Sequence, residues 1–271
     1  MLTRLVSSVK LRRTVLGAAL AAVSLLVIIG FWAGRTKSEL DGALPLRGPH
    51  GIYLTKFPLN EFPIAEGGIW IGGRTVGLDW SDVGTMSGHT YGTVVDPGYD
   101  DPTALLTGEW GPDQMARGVV FSVNQHDSPN QEVELRLRSH LSAHSCTGYE
   151  IGWRVSPNRV AYMGIARWNG KLGDFTPLVT HYGAKFGVSH GDVIEAIAIG
   201  NVISAYKNGA LQARVRDETF LTGLPGMGTY WGPGTNTDFG LSQFMATDQI
   251  TDPKTPDKTY CLRNDRSRLR H

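Results

Sequence analysis

The sequence predicts an all-β fold, a sandwich or barrel of short strands, preceded by one N-terminal transmembrane helix. Three observations predict it. From Phe57 to about Asp248, short β-compatible runs alternate with turn clusters. No window of 11–18 residues there carries strong helical periodicity, and this spacing of turns belongs to sandwiches and barrels. The chain also holds 34 glycines and 14 prolines, which suits a turn-rich β protein.

The N-terminal element comes first. Thr14 to Gly34 is a 21-residue run without a charge. A helix of that length crosses the ~30 Å hydrocarbon core. It is long for a cleaved signal, whose apolar region is about 7–15 residues. Arg4, Lys10, Arg12 and Arg13 precede it, while Arg35, Lys37 and Arg47 follow. This bias favours an N-terminus inside and a C-terminal domain outside the cytoplasm. The expectation is a single-pass membrane protein held by an uncleaved signal anchor. A cleaved, secreted form is the second reading.

The divisions follow. Residues 1–37 are a cytoplasmic stub and anchor, and 38–56 ("SELDGALPLRGPHGIYLT" and its border) are a linker. Residues 57–247 form the sandwich, and 248–271 a polar tail. The most regular strands are "RGVVFSV", "EVELRLRSH", "GYEIGWRV", "RVAYMGIARW", "DFTPLVT" and "TDFGLSQFMAT". "EVELRLRSH" alternates, with Val133, Leu135 and Leu137 on one face. Glu132, Glu134, Arg136, Arg138 and His140 fall on the other, expected to be a solvated charged face.

In "GDVIEAIAIGNVISAYKNGALQARVRD", Gly200-Asn201 and Asn208-Gly209 are two-residue hairpin signals. They pair Ile199 with Val202, Glu195 with Tyr206, Tyr206 with Leu211 and Lys207 with Ala210. Regular alternation then places Glu195, Ile197, Ile199, Val202, Ser204, Tyr206, Leu211, Ala213 and Val215 on one face. The small apolar set Ile194, Ala196, Ala198, Ile203 and Ala205 lies on the other, which is expected to be buried. That leaves Glu195, Ser204 and Tyr206 open, although Leu211 and Val215 argue the reverse on the third strand.

Four pieces carry a family resemblance: "GGRTVGLDWSDVGT", "GYEIGWRV…YMGIARWNGKLGDFTPL", "GDVIEAIAIGNVISAYKNGALQARVRDETFLTGLPGMGTYW" and "TDFGLSQF". Across Phe57 to Ala246 the chain resembles the concanavalin A-like lectin/glucanase superfamily, specifically the laminin-G-like jelly rolls of bacterial exported proteins. The resemblance implies a jelly roll of two antiparallel sheets, one curved, whose concave face often receives glycans. It does not imply catalysis, because the superfamily mixes lectins, lyases, hydrolases and adhesion modules.

Hydrolases of the superfamily carry alternate carboxylates on one strand, and a retaining pair sits about 5–5.5 Å apart. Glu132 and Glu134 fit that spacing, but Arg136 takes the third place, and a guanidinium lowers a neighbouring carboxylate's pKa. Lyases of the superfamily need a His or Tyr base beside charge-neutralising Arg and Asn/Gln; Gln125-His126, Arg136, Arg138, His140 and several tyrosines are the available ingredients. If the protein is an enzyme, its residues are Glu132, Glu134, Arg136 and His126, lyase before hydrolase. Sugar binding needs aromatic platforms beside hydrogen-bonding groups. The ligand-binding candidates are Glu195, Ser204, Tyr206, Trp168, Tyr230 and Trp231, with Trp168 exposed at a hairpin.

No cofactor is required by these readings, although Asp96, Asp100 and Asp101 are candidate calcium ligands. Two cysteines, Cys146 and Cys261, lack metal-ligand spacing and form a candidate disulfide in an extracytoplasmic domain. A net charge of +1, without a basic stripe, argues against nucleic acid as a partner. The leading expectation is a membrane-anchored, extracytoplasmic carbohydrate-binding module without catalysis, whose partner is a glycan or cell-envelope polysaccharide. The alternatives are a polysaccharide lyase or glycoside hydrolase of the same fold, and an adhesion module without sugar specificity.

Overall fold

The computed structural model describes residues 51–93, 100–124, 131–230 and 236–250. The apolar run Thr14–Gly34 and the polar tail beyond residue 250 lie outside the described residues. No described helix is long and apolar enough to cross a membrane.

Fifteen strands run in chain order as β1 (Ile52–Thr55), β2 (Trp70–Gly72), β3 (Val83–Met86), β4 (His89–Gly92) and β5 (Thr103–Leu106). Then come β6 (Gln114–Ser122), β7 (Glu132–Ser142), β8 (Ser145–Arg154), β9 (Tyr162–Gly170) and β10 (Phe175–Tyr182). The last five are β11 (Val193–Ile199), β12 (Val202–Lys207), β13 (Ala210–Arg216), β14 (Leu224–Tyr230) and β15 (Phe239–Thr247). Only four short 3₁₀ turns interrupt them among the described residues. The strand β1 falls inside the stretch expected to be a linker: its four residues pair with β15.

Two antiparallel sheets form the sandwich. One has the order β1-β15-β6-β11-β12-β13, and the other β10-β9-β8-β7-β14-β5-β2. β3 and β4 make a separate hairpin. Alternation on each strand sends one set of side chains between the sheets. Val133, Leu135, Leu137, Tyr149, Ile151, Trp153, Met163 and Ile165 come from the seven-stranded sheet. They share a core with the smaller Ala116, Ile194, Ala196, Ala198, Ile203 and Ala205 of the other. Large residues set against small ones let the two faces interdigitate at close packing.

The hairpin registers are those the turns predict. Ile199 pairs with Val202 and Glu195 with Tyr206. Lys207 pairs with Ala210 and Tyr206 with Leu211. Asn208 and Gly209 take positive φ of 50° and 78°, as a tight hairpin turn demands. The face of β13, however, departs from regular alternation. The register slips between Tyr206 and Ala205, so Ala205 meets Ala213 rather than Gln212. Gln212 is the extra residue of a β-bulge, and everything after it changes face. Ala213 is buried and Val215 packs on the core, while Arg214 points outward beside Ser204. This resolves the conflict posed by Val215.

β7 departs as well. Its register slips between Leu137 and His140, and Arg138 has a φ of 51°. The slip removes Arg138 from the face of Glu134 and Arg136. Its guanidinium donates instead to the carbonyls of Pro112 and Gly200, at 2.7 Å each.

Candidate functional site

The polar set of β7 faces away from the core, and there the expected solvated surface is not what forms. Glu132, Glu134 and Arg136 are all buried, Glu134 and Arg136 to about 1% exposure. The correction has a physical cause. The segment joining β2 to β3 lies over this outer face, and its Trp80 packs on Trp168 with ring centroids 4.4 Å apart. Alternation along one strand cannot announce a cover supplied by another part of the chain.

Arg136 sits at the centre of the covered region. One terminal nitrogen lies 2.5 Å from Glu134 Oε2 and 3.8 Å from Asp101 Oδ2, and the other lies 2.8 Å from Glu150 Oε2. Its guanidinium carbon stands 5.6 Å from the Trp80 ring and 5.9 Å from the Trp168 ring, within cation–π range. Trp168 Nε1 donates to Glu150 Oε2 at 2.5 Å, fixing that carboxylate from the other side. Burial works against the guanidinium's charge, but Glu134 and Glu150 overcome it and hold its pKa above the ordinary arginine value.

Beside this cluster a cavity of about 270 Å³ enters the outer face of the seven-stranded sheet. Asp101, Glu132, Glu134 and Glu150 line one part; Tyr162, Trp168, Phe175 and Tyr230 supply aromatic walls. Pro177 and Thr180, both exposed, also line it, and so does Gly164. Pairing explains the assembly. Glu134 stands opposite Gly152 on β8 and Gly228 on β14, and Gly152 stands opposite Gly164 on β9. A Cβ on Gly152 would lie 1.8 Å from Glu132 Oε1, and one on Gly228 2.4 Å from Glu134 Oε2. Only glycine leaves these carboxylates their positions.

The carboxyls are held toward their neutral forms. Burial, then the charge of Glu150, pushes Glu132 up to about 8. The same two causes raise Glu134 and Asp101 well above the ordinary carboxylate range. Tyr162 donates its hydroxyl proton to Glu132, and burial followed by the Glu132 charge raises the phenol in turn. An acid proton, carboxylate acceptors and stacking surfaces therefore share one recess.

The residues expected from sequence fall in three places. Glu132, Glu134, Asp101, Trp168 and Tyr230 line the cavity, and Arg136 lies behind it. Trp168 is only 2% exposed rather than presented at a hairpin tip, because Trp80, Phe175 and Leu78 enclose it. Glu195, Ser204 and Tyr206 lie on the six-stranded sheet, apart from the cavity. Arg214 donates to two of them, Ser204 Oγ at 3.0 Å and Tyr206 Oη at 3.3 Å; Ser204 is buried, while Glu195 and Tyr206 are partly exposed. Burial also raises the pKa of Glu195, with Arg117 opposing.

His126, Trp231 and Asp96 lie outside the described residues. Asp100 accepts from the Ser81 backbone and hydroxyl, a loop-holding role. Cys146 is a buried free thiol, and Cys261 lies outside the described residues. Sequence reasoning missed Glu150, Tyr162 and Phe175. Glu150 is a single acid in "GYEIGWRV", and its signal emerges only once Arg136 and Glu150 are known to pair across β7 and β8.

Asp101, Glu134 and Glu150 bring carboxylate oxygens within 4.8 Å of one another, close enough to share a cation. Arg136 reaches all three, so the guanidinium takes the place a calcium ion would need. These residues do not fit a metal site while Arg136 is there.

No protein-family profile matches the sequence, and no curated protein matches it. Solved structures do. The exoplasmic/lumenal domain of VIP36, in a metal-free form, aligns at 12% identity with a TM-score of 0.50, covering 76% of this chain and 94% of that one. The likeness is one of fold. The carbohydrate binding module CBM66 from Bacillus subtilis aligns at 16% identity and a TM-score of 0.44, over 66% of this chain and 91% of that one. An apo Crh5 transglycosylase aligns at 11% identity and 0.45, over 76% and 88%. The two-sheet antiparallel sandwich, shared in fold with the VIP36 domain, is the architecture the sequence resemblance implies.

Proposed function

We propose that this chain is a saccharide-binding module whose ligand enters the cavity on the outer face of the seven-stranded sheet. A shared fold leaves function open, so the reading rests on the cavity. The observation that carries it is the pairing of aromatic walls with carboxyl groups: Tyr162, Trp168, Phe175 and Tyr230 beside Asp101, Glu132, Glu134 and Glu150. A sugar ring offers an apolar C–H face to the former and hydroxyl donors to the latter. The cavity is small, below the ~300–1,000 Å³ of drug-sized sites, and suits one ring of a chain rather than a long segment. The anchor reading of Thr14–Gly34 adds a membrane tether and an extracytoplasmic location.

Binding without turnover is the form we favour, because Arg136 engages both Glu134 and Glu150 and leaves neither as a free nucleophile. Glycoside hydrolysis is the second reading, and one observation favours it. Glu132 keeps its proton up to about pH 8, as a general acid must, and shares the recess with other carboxylates. A glycan array on the full-length chain tests binding; absence of every signal removes the reading. Reducing ends released from bound saccharides, and abolished by Glu132→Gln, would replace it with hydrolysis.

A further inference from the structure

We propose, building on the saccharide reading, that the cavity selects sugars bearing a free amino group and rejects uronates. Four carboxyl groups line the cavity, and among the described residues none that lines it is Lys, Arg or His. The nearby cation faces the wrong way for a ligand. Arg136 is about 1% exposed, capped by Trp80 and Trp168, and already committed to Glu134 and Glu150. Its contact with Asp101 is long at 3.8 Å, and Glu132 meets the Tyr162 hydroxyl instead. Two guanidiniums, Arg136 and the Arg154 that stands opposite Glu132, thus face four acids, and neither lines the cavity.

A uronate carboxylate entering this recess would add a further acid to a low-dielectric setting in which the described lining offers no cation to receive it. An ammonium group finds acceptor oxygens on several sides and relieves their mutual repulsion. Burial first, and the charge of Glu150 second, raise the pKa values of Glu132, Glu134 and Asp101, and an ammonium group in the recess would draw those protons off. A neutral sugar keeps the hydroxyl contacts but loses the ionic one. Lyase chemistry needs a cation facing a uronate, and the described lining residues supply none.

Isothermal titration of the full-length chain at pH 7 would compare oligomers of glucosamine, N-acetylglucosamine and galacturonate of equal length. A glycan array carrying amino, neutral and uronate saccharides would run beside it. The expected result is at least tenfold tighter binding of the glucosamine oligomer than of its N-acetylated form, with no galacturonate binding. Galacturonate binding as tight as glucosamine, or array signals confined to neutral or uronate sugars, overturns the proposal and leaves the saccharide reading standing. Silence across the array overturns both. Glu150→Gln keeps an acceptor for Trp168 and should weaken glucosamine binding about fivefold more than it weakens binding of the N-acetylated oligomer. Equal loss for both sugars would count against the proposal, and the wild-type comparison decides it should the variant fail to fold.

Discussion

Arg136 Nη2 lies 2.5 Å from Glu134 Oε2, two positions away on the same face of one strand, with both side chains about 1% exposed. A buried pair of this kind is costly to break from one side. Arg136→Met should destabilise the fold by about 3–5 kcal/mol, because Glu134 and Glu150 lose their shared partner. Adding Glu134→Gln should recover part of that loss. Urea unfolding of the single and double variants measures both, and an additive result would show that the pair is not coupled.

Glu132 gives the stability a direction in pH. Its folded pKa, about 8, stands above the ordinary value of 4.5, so the native state binds the proton more tightly. Its contribution is complete below about pH 4.5 and is lost as pH rises through about 8. Melting temperature should therefore fall across that window. Glu132→Gln, which cannot ionise, should flatten the curve, as scanning calorimetry at stepped pH would reveal.

Two neighbouring glycines separate stability from binding. At Gly152 an added Cβ would collide with Glu132, so Gly152→Ala should cost about 1–3 kcal/mol and displace the acid from Tyr162. At Gly164 the nearest atom to such a Cβ is 3.5 Å away, an ordinary contact. Gly164→Ala should melt like the wild type but bind saccharide about tenfold more weakly, since its methyl enters the cavity. Paired melting and titration curves distinguish the two effects.

The bulge on β13 predicts an unusual tolerance. Deleting Gln212 leaves Leu211 beside Tyr206 and Ala213 beside Ala205, the pairs already present. The deletion variant should fold with a stability within about 1 kcal/mol of wild type, as for a neutral surface change. A large loss in chemical denaturation would mean that the faces of β13 are set otherwise.

What the sequence made legible was local. Turn chemistry at Asn208-Gly209 and Gly200-Asn201 placed three strands in register, because two-residue loops allow few alternatives. Alternation placed Val133, Leu135 and Leu137 in the core. Non-local matters stayed hidden. β14 inserts between β7 and β5, strands more than eighty residues before it, and no pattern in "LPGMGTY" names those neighbours. The charged face of β7 was misjudged for the same reason, since its cover comes from Trp80. The candidate site was half legible: Glu132, Glu134 and Trp168 belong to it, while Glu195, Ser204 and Tyr206 lie on the other sheet. A single bulge residue was enough to invert the expected face of β13.

The recess beside Glu132 is hollowed by omission. Gly152 and Gly228 withhold the side chains that would crowd its acids, and Gly164 leaves its wall bare. Its contour is therefore written in missing methyls on rigid strands, not in the posture of a loop. Such a contour can be narrowed one carbon at a time while the sheet stays still. Ligand preference in this protein is then a quantity that can drift independently of the scaffold bearing it.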